Sequence, residues 1–117
     1  MKKKKLSHLA VEFILSRNIE ELASLTQDTL VHHLEVSLSQ LLPEFQKDQK
    51  ITLTRFIIRE KMHRAALFLE TADSPSIDNL AQLLGFASTP DFCQEFQGYL
   101  AIEPEKYWAL KHNLNTE

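Results

Sequence analysis

Apolar residues recur every three or four positions along most of this chain, the interval that lines one face of an α-helix. Leu6, Leu9, Ala10, Phe13 and Ile14 form the first such face, and Asn18 stands where that helix stops or the next one is capped. Ile19, Leu22, Ala23 and Leu25 make a short second face. Asp28, a candidate N-cap, is followed by Leu30, Val31, Leu34, Leu38, Leu41 and Leu42 on one side, a pattern that fits a single long helix up to Pro43. A proline past the first turn loses a hydrogen bond and clashes with the preceding turn, at a cost of about 3 kcal/mol, but it suits the first position of a new helix. Gln46 to Lys50 reads as a helix end or loop. Thr52 then caps the longest clear element, which carries Leu53, Phe56, Ile57, Ala65, Leu67, Phe68 and Leu69.

Asp73, Ser74, Pro75 and Ser76 break the pattern again. Ser76 is placed to cap a helix with Asp78 in its first turn, where the helix dipole favours negative charge. That helix runs to about Leu84, and Gly85 suits the left-handed conformation that ends a helix. Ser88 caps the next, with Pro90 in its first turn and Phe92, Phe96, Tyr99 and Leu100 along it. Glu103 and Pro104 open a last helix with Tyr107, Trp108 and Leu110. The expectation is an all-α fold, since two glycines, four prolines and no clear alternation leave little material for hairpins.

The 117 residues, 44% of them apolar, suit one compact domain or two small helical lobes. No apolar run is long enough to cross a bilayer, and the N-terminal lysines precede no compact apolar stretch with a cleavage site, so a soluble cytoplasmic protein is expected. The single Cys93 excludes an internal disulfide and argues against a zinc site.

A helix-turn-helix needs a small residue where its helices cross, a tight turn, and a capped second helix with a buried face. Ser76 to Tyr99 supplies each part: Ala81 at the crossing, Gly85 in the turn, Phe86 beneath it, and Phe92 with Phe96 as a buried i,i+4 pair. The run Ser76, Ile77, Leu80, Ala81, Gly85, Phe86, Phe92, Phe96, Pro104, Tyr107 resembles the C-terminal signature of the AraC/XylS family of bacterial transcription regulators. The upstream Thr52, Leu53, Phe56, Ile57 and Ala65 resemble that family's linker helix. This resemblance covers about Thr52 to Trp108. It implies two helix-turn-helix subdomains joined by a long linker helix, with both recognition helices offered to successive major-groove segments of DNA. The length is similar to members that consist of this domain alone.

The expected organisation is a basic flexible tail over 1–5, an N-terminal subdomain with an irregular helix-turn-helix over 6–51, the linker helix over 52–71, the C-terminal subdomain over 72–112 and a polar tail over 113–117. The first subdomain aligns in two registers. In one, Leu30 and Val31 lie on the first helix, Ser37 is the cap, and Leu41 and Phe45 lie on the recognition helix, with Glu35 at the usual turn glycine and Pro43 inside the helix, where the family often has an arginine. In the other, Ile19, Leu22 and Ala23 form the first helix and Asp28 to Leu41 the second, leaving Pro43 to start a new helix. Unbroken periodicity and the proline favour the second. Carried over by position, the DNA-facing candidates are Ser88, Thr89, Pro90, Cys93 and Gln94 in the second unit and Ser37, Ser39, Leu42 and Pro43 in the first. Only Gln94 and Thr89 among the former have obvious base-reading chemistry. Trp108 stands where the family usually has an arginine.

Charge complicates that picture. The formal net charge is −3, and with Lys2 to Lys5 set aside the remainder stands at −7, whereas affinity for nucleic acid comes mainly from neutralising phosphates. Arg55, Arg59, Lys61, His63 and Arg64 decorate the linker helix and Lys106, Lys111 and His112 the last one, read most simply as a solvated face. Lys2 to Lys5 read as a solubilising tail or a phosphate-seeking arm. The histidines lack ligand spacing, Cys93 sits among acids that disfavour a thiolate, and no phosphate loop or acid pair is present, so no enzyme, cofactor, metal or small-molecule ligand is expected. Two functions remain: a DNA-binding transcription regulator, or an AraC-like domain that has lost DNA reading and binds a protein such as another regulator or RNA polymerase. The acidic body and the loss of the family's arginines support the second, which would bind through its acidic face or exposed aromatics such as Trp108.

Overall fold

The computed structural model describes residues 5–112, which form eight helices: α1 (Leu6–Leu15), α2 (Ile19–Ala23), α3 (Gln27–Leu34), α4 (Leu38–Gln49), α5 (Leu53–Thr71), α6 (Ile77–Leu83), α7 (Thr89–Leu100) and α8 (Pro104–Lys111). The expected tail segments at Lys2 to Lys4 and 113–117 lie outside the described residues. The helices divide into two compact units, Met1–Ile58 and Arg59–Glu117, and α5 contributes residues to both.

In the first unit, Ala10 and Ile14 of α1 pack with Leu22, Leu25, Leu30, Leu41, Phe45, Leu53, Phe56 and Ile57 in one apolar core. Phe45 meets Phe56 edge-on at 5.4 Å between ring centroids. Asn18 and Glu21 close a capping box around the start of α2, each side chain bonded to the other's backbone N–H. Ser7 is fully buried, and its hydroxyl donates to Asp48 at 2.8 Å. That bond, with Lys5 and Lys47 nearby, holds the Asp48 carboxyl below the usual range.

The helix-turn-helix of this unit is α3 and α4, capped by Thr26 and Ser37, and this corrects the expected register. Glu35 ends α3 in the left-handed conformation, with φ 58°. The Val36 N–H then reaches back to the Val31 carbonyl at 3.1 Å, the six-to-one bond of a helix stop. Asp28 lies in the first turn of α3 instead of capping it, and α4 runs on through Pro43 to Gln49, so the break at Pro43 does not occur and Gln46 to Lys50 is the end of α4. A left-handed non-glycine residue costs about 1–2 kcal/mol and an interior proline about 3 kcal/mol. Turning the chain buries Leu41 and Phe45 completely, worth about 1.5–3 kcal/mol each. Long-range burial therefore meets the local cost, which periodicity alone does not register.

The second unit repeats the design. Leu80, Ala81, Leu84, Phe92 and Phe96 join Met62, Ala65, Ala66 and Leu69 in being buried. Ser76 accepts from the Asn79 N–H and Ser88 from the Asp91 N–H, both at 3.2 Å. Gly85 takes φ 86°, and the Phe86 N–H bonds the Ala81 carbonyl at 3.0 Å. Residue for residue, Leu30, Val31, Leu34, Glu35 and Val36 correspond to Leu80, Ala81, Leu84, Gly85 and Phe86. Past the turn, Ser37, Leu41 and Phe45 correspond to Ser88, Phe92 and Phe96, because the second turn is one residue longer. Both recognition helices end on a left-handed residue, Lys50 at φ 62° and Ala101 at φ 64°.

Aromatic rings continue the second core outward. Phe86, Phe92, Phe96 and Tyr107 follow one another at 5.6, 5.8 and 5.5 Å. The Tyr107 hydroxyl donates to Glu70 at 2.6 Å, and the Trp108 indole N–H donates to the Ala72 carbonyl at 2.7 Å. Trp108 is therefore a half-buried latch between α8 and the end of α5, where the sequence suggested a free aromatic surface.

Two outcomes are expected. Glu35→Gly should stabilise the first unit by about 1 kcal/mol in urea unfolding, and Gly85→Ala should destabilise the second by a similar amount, because both sites demand positive φ; a lowered midpoint for Glu35→Gly would count against the left-handed turn. Burial and the Glu70 carboxylate push Tyr107 up to about 12, so the folded state prefers the neutral phenol. Stability should be fully present below pH 10, the ordinary tyrosine range, and fall as the pH rises toward 12. Tyr107→Phe should flatten that fall.

Candidate nucleic-acid interface

The cap at Ser37 and the buried pair Leu41 and Phe45 fix which side of α4 faces water. Ser39, Gln40, Pro43, Glu44, Gln46 and Lys47 are exposed, and Lys50 follows at the helix end. Of the residues expected to meet DNA, Ser37, Ser39 and Pro43 lie on this surface and Leu42 is half-buried beside it. Ser37 has its oxygen engaged with the Gln40 N–H at 3.2 Å and with the Ser39 hydroxyl at 3.1 Å, so it organises the helix start. Gln40, Gln46 and Lys47 were missed as candidates. The family positions carried over onto α4 reach only Ser37, Ser39, Leu42 and Pro43, and which further side chains face water follows only from the position of the turn.

On α7 the same logic exposes Pro90, Asp91, Gln94, Gln97 and Gly98. Gln94 is free of the core, as base-reading chemistry would require. Thr89 is half-buried, and its hydroxyl donates to Asp78 at 2.6 Å. Ser88 is occupied by capping, as Ser37 is. Cys93 is half-buried, and its thiol is pushed up by burial first and then by Glu105, Glu103 and Asp78. These carboxylates come from α6 and from the start of α8, so they converge on the flank of α7.

The basic residues are largely committed to neighbours. Arg64 holds Glu60 at 2.8 Å, Lys106 holds Glu103 at 3.3 Å and Lys5 lies 4.0 Å from Asp48. Burial lowers Lys61, whose ammonium sits 5.6 Å from the Phe86 ring centre. In the first unit Arg17 stacks over Phe13 at 4.2 Å, and Phe13 lies 4.1 Å from the His33 ring. An open depression of about 330 Å³ lies beside the Trp108 latch, lined by Ser74, Pro75, Ile77, Glu105, Trp108 and Ala109. Among the described residues no group of three His, Cys, Asp or Glu side chains is arranged to hold a metal ion, and no helix is long and apolar enough to cross a membrane.

Two capped helix pairs, each turned at a left-handed residue, define a double helix-turn-helix protein. The chain matches no protein-family model. It is 33% identical over 91 residues to the HTH-type transcriptional regulator GbdR of Pseudomonas aeruginosa, a match covering 78% of this chain and 24% of that protein. It is 37% identical over 59 residues to the transcriptional activator PerA of Escherichia coli, covering 50% of this chain and 21% of that protein. The chain thus spans about a quarter or less of the length of these relatives, which are transcriptional regulators. Among solved structures it is similar to an AraC-type transcriptional regulator of Chromobacterium violaceum, with TM-score 0.79, 24% identity and 91% of each chain covered. It is also similar to the DNA-binding domain of AdpA in complex with a target DNA, with TM-score 0.77, 21% identity, and 97% of this chain and 99% of that one covered. Its fold is that of the AraC-type DNA-binding domain.

The Cys93 environment yields a direct check. A disulfide exchange reagent at pH 8 should modify the folded chain more slowly than a free thiol, because the thiolate is the reactive form. Asp78→Asn with Glu105→Gln should speed the reaction; equal rates would remove these carboxylates from the α7 flank.

Proposed function

We propose that the chain is a sequence-specific DNA-binding transcriptional regulator. The observation that carries this is α4: a capped, twelve-residue helix held on its partner by a tight turn, with Ser39, Gln40, Pro43, Gln46 and Lys47 on its outer side. Serine and glutamine supply base-edge and phosphate hydrogen bonds, and lysine neutralises phosphate. The AraC-type fold and the transcriptional regulators that the chain resembles support the same assignment. In this role the protein acts by binding, without catalysis, and in the cytoplasm where the DNA is. A second function, docking on another regulator or on RNA polymerase, is favoured by one observation, the gathering of Asp78, Glu103 and Glu105 beside α7.

Titration of a random-sequence duplex at 50 and 200 mM salt tests the assignment. Each neutralised phosphate adds about −0.9 to the slope of log affinity against log salt. Measurable binding at 50 mM that weakens steeply at 200 mM is expected. An absence of binding at the lower salt would sink the proposal.

A further inference from the structure

We infer that only the first unit reads DNA, through α4, and that the second unit keeps the helix-turn-helix scaffold without a DNA-reading surface. This rests on the DNA-binding function proposed above and narrows it to one helix.

The two recognition helices can be compared position by position, because Ser37 and Ser88 cap them in the same way and Phe45 and Phe96 are buried at the same place. Along the exposed side, Gln40 of α4 corresponds to Asp91 of α7, Lys47 to Gly98, and the helix-end Lys50 to Ala101, while Glu44 is matched by Glu95. At three corresponding positions, then, α7 has lost a positive charge or gained a negative one. One difference runs the other way, since Asp48 corresponds to Tyr99. The Asp48 carboxylate, however, is taken up by the buried Ser7 hydroxyl at 2.8 Å and lies 4.0 Å from Lys5, on the side of α4 that faces α1.

The surroundings of α7 are more acidic than those of α4, where Asn18 to Gln46 holds five acidic residues, two histidines and no lysine or arginine. Between Ala65 and Glu105 the chain holds seven acidic residues and no lysine, arginine or histidine. That stretch contains all of α6 and α7. One further α7 candidate, Thr89, is already spent on Asp78, and Ser88 is engaged in capping just as Ser37 is. A recognition helix approaches phosphates on both sides of the groove, so a surface of this sign is repelled where binding draws its affinity. Pro43 and Gln94 also correspond, so α7 keeps one base-reading side chain that α4 lacks, while α4 keeps Gln40 and Gln46 beside its cations. α4 has cations and α7 has Gln94, and cations supply the affinity without which base reading has no effect.

The test uses the full chain. Duplexes are selected from a random-sequence library at 50 mM salt and then titrated with variants. One short conserved block is expected, the reach of a single helix. Lys47→Ala with Lys50→Ala should weaken binding about tenfold or more and flatten the salt slope by about 2. The pair should fold, since Ala101 holds the left-handed conformation of Lys50. Gln94→Ala with Gln97→Ala should change affinity less than twofold. Conversely, Asp91→Gln with Gly98→Lys should add affinity and steepen the slope, and a side chain at Gly98 has room, with nothing within 4 Å of its Cβ position. Two separated conserved blocks, or a tenfold loss from the Gln94 and Gln97 pair, would overturn the one-unit inference while DNA binding stands. Failure to enrich any duplex would overturn DNA binding itself.

Discussion

Each helix-turn-helix depends on one backbone event, a residue forced into the left-handed region at the end of its first helix. Glu35 and Gly85 do this, and in both cases the next N–H bonds back to a carbonyl in the helix just ended, Val36 to Val31 and Phe86 to Ala81. That bond satisfies a carbonyl the helix end would otherwise leave open and sets the direction in which the chain leaves. The caps at Ser37 and Ser88 then start the second helix within three residues. Everything that a recognition helix exposes or buries follows from the angle made there. If the turn straightened, Leu41 and Phe45 would leave the core they share with Leu30 and Phe56.

The two turns meet this demand with different residues. Glycine enters the left-handed region at little cost, whereas Glu35 carries a Cβ that penalises it. The first unit adds a proline inside α4, so it bears two local penalties against a well-filled core of ten buried side chains. Pro43 lies on the exposed side of α4, and its ring nitrogen offers no N–H to the Ser39 carbonyl one turn back. The second unit has neither penalty and an aromatic series from Phe86 to Tyr107. Its scaffold is the better formed of the two. Its outer surface is the less suited to phosphate, which separates the quality of a fold from the chemistry it presents.

Charge follows that same division. Lys47 and Lys50, on and just after α4, belong to the first unit, while the second gathers Asp78, Asp91, Glu103 and Glu105 around its recognition helix. Burial raises the Cys93 thiol first, and Glu105, Glu103 and Asp78 add to it. The two helix-turn-helix units thus share one supersecondary pattern but carry different charges on and around their second helices.

The sequence by itself determined the helical class, the second helix-turn-helix down to Ser76, Gly85, Ser88, Phe92 and Phe96, and the start of α5 at Thr52. These are local signals: caps, a glycine at a positive-φ position, and side chains three or four residues apart. Of the two registers open to the first unit, local pattern favours the one the structure does not adopt, because the apolar stripe from Leu30 to Leu42 continues through Glu35 as though no turn were there, and Pro43 argues for a break that does not occur. Only the tertiary structure decided that register, since the burial of Leu41 and Phe45 against α1 and α5 is a contact between distant residues. The same step decided which polar side chains face outward. Gln40, Gln46 and Lys47 became candidates and Trp108 became a latch, because exposure is a property of the packed unit, and no local pattern carries it.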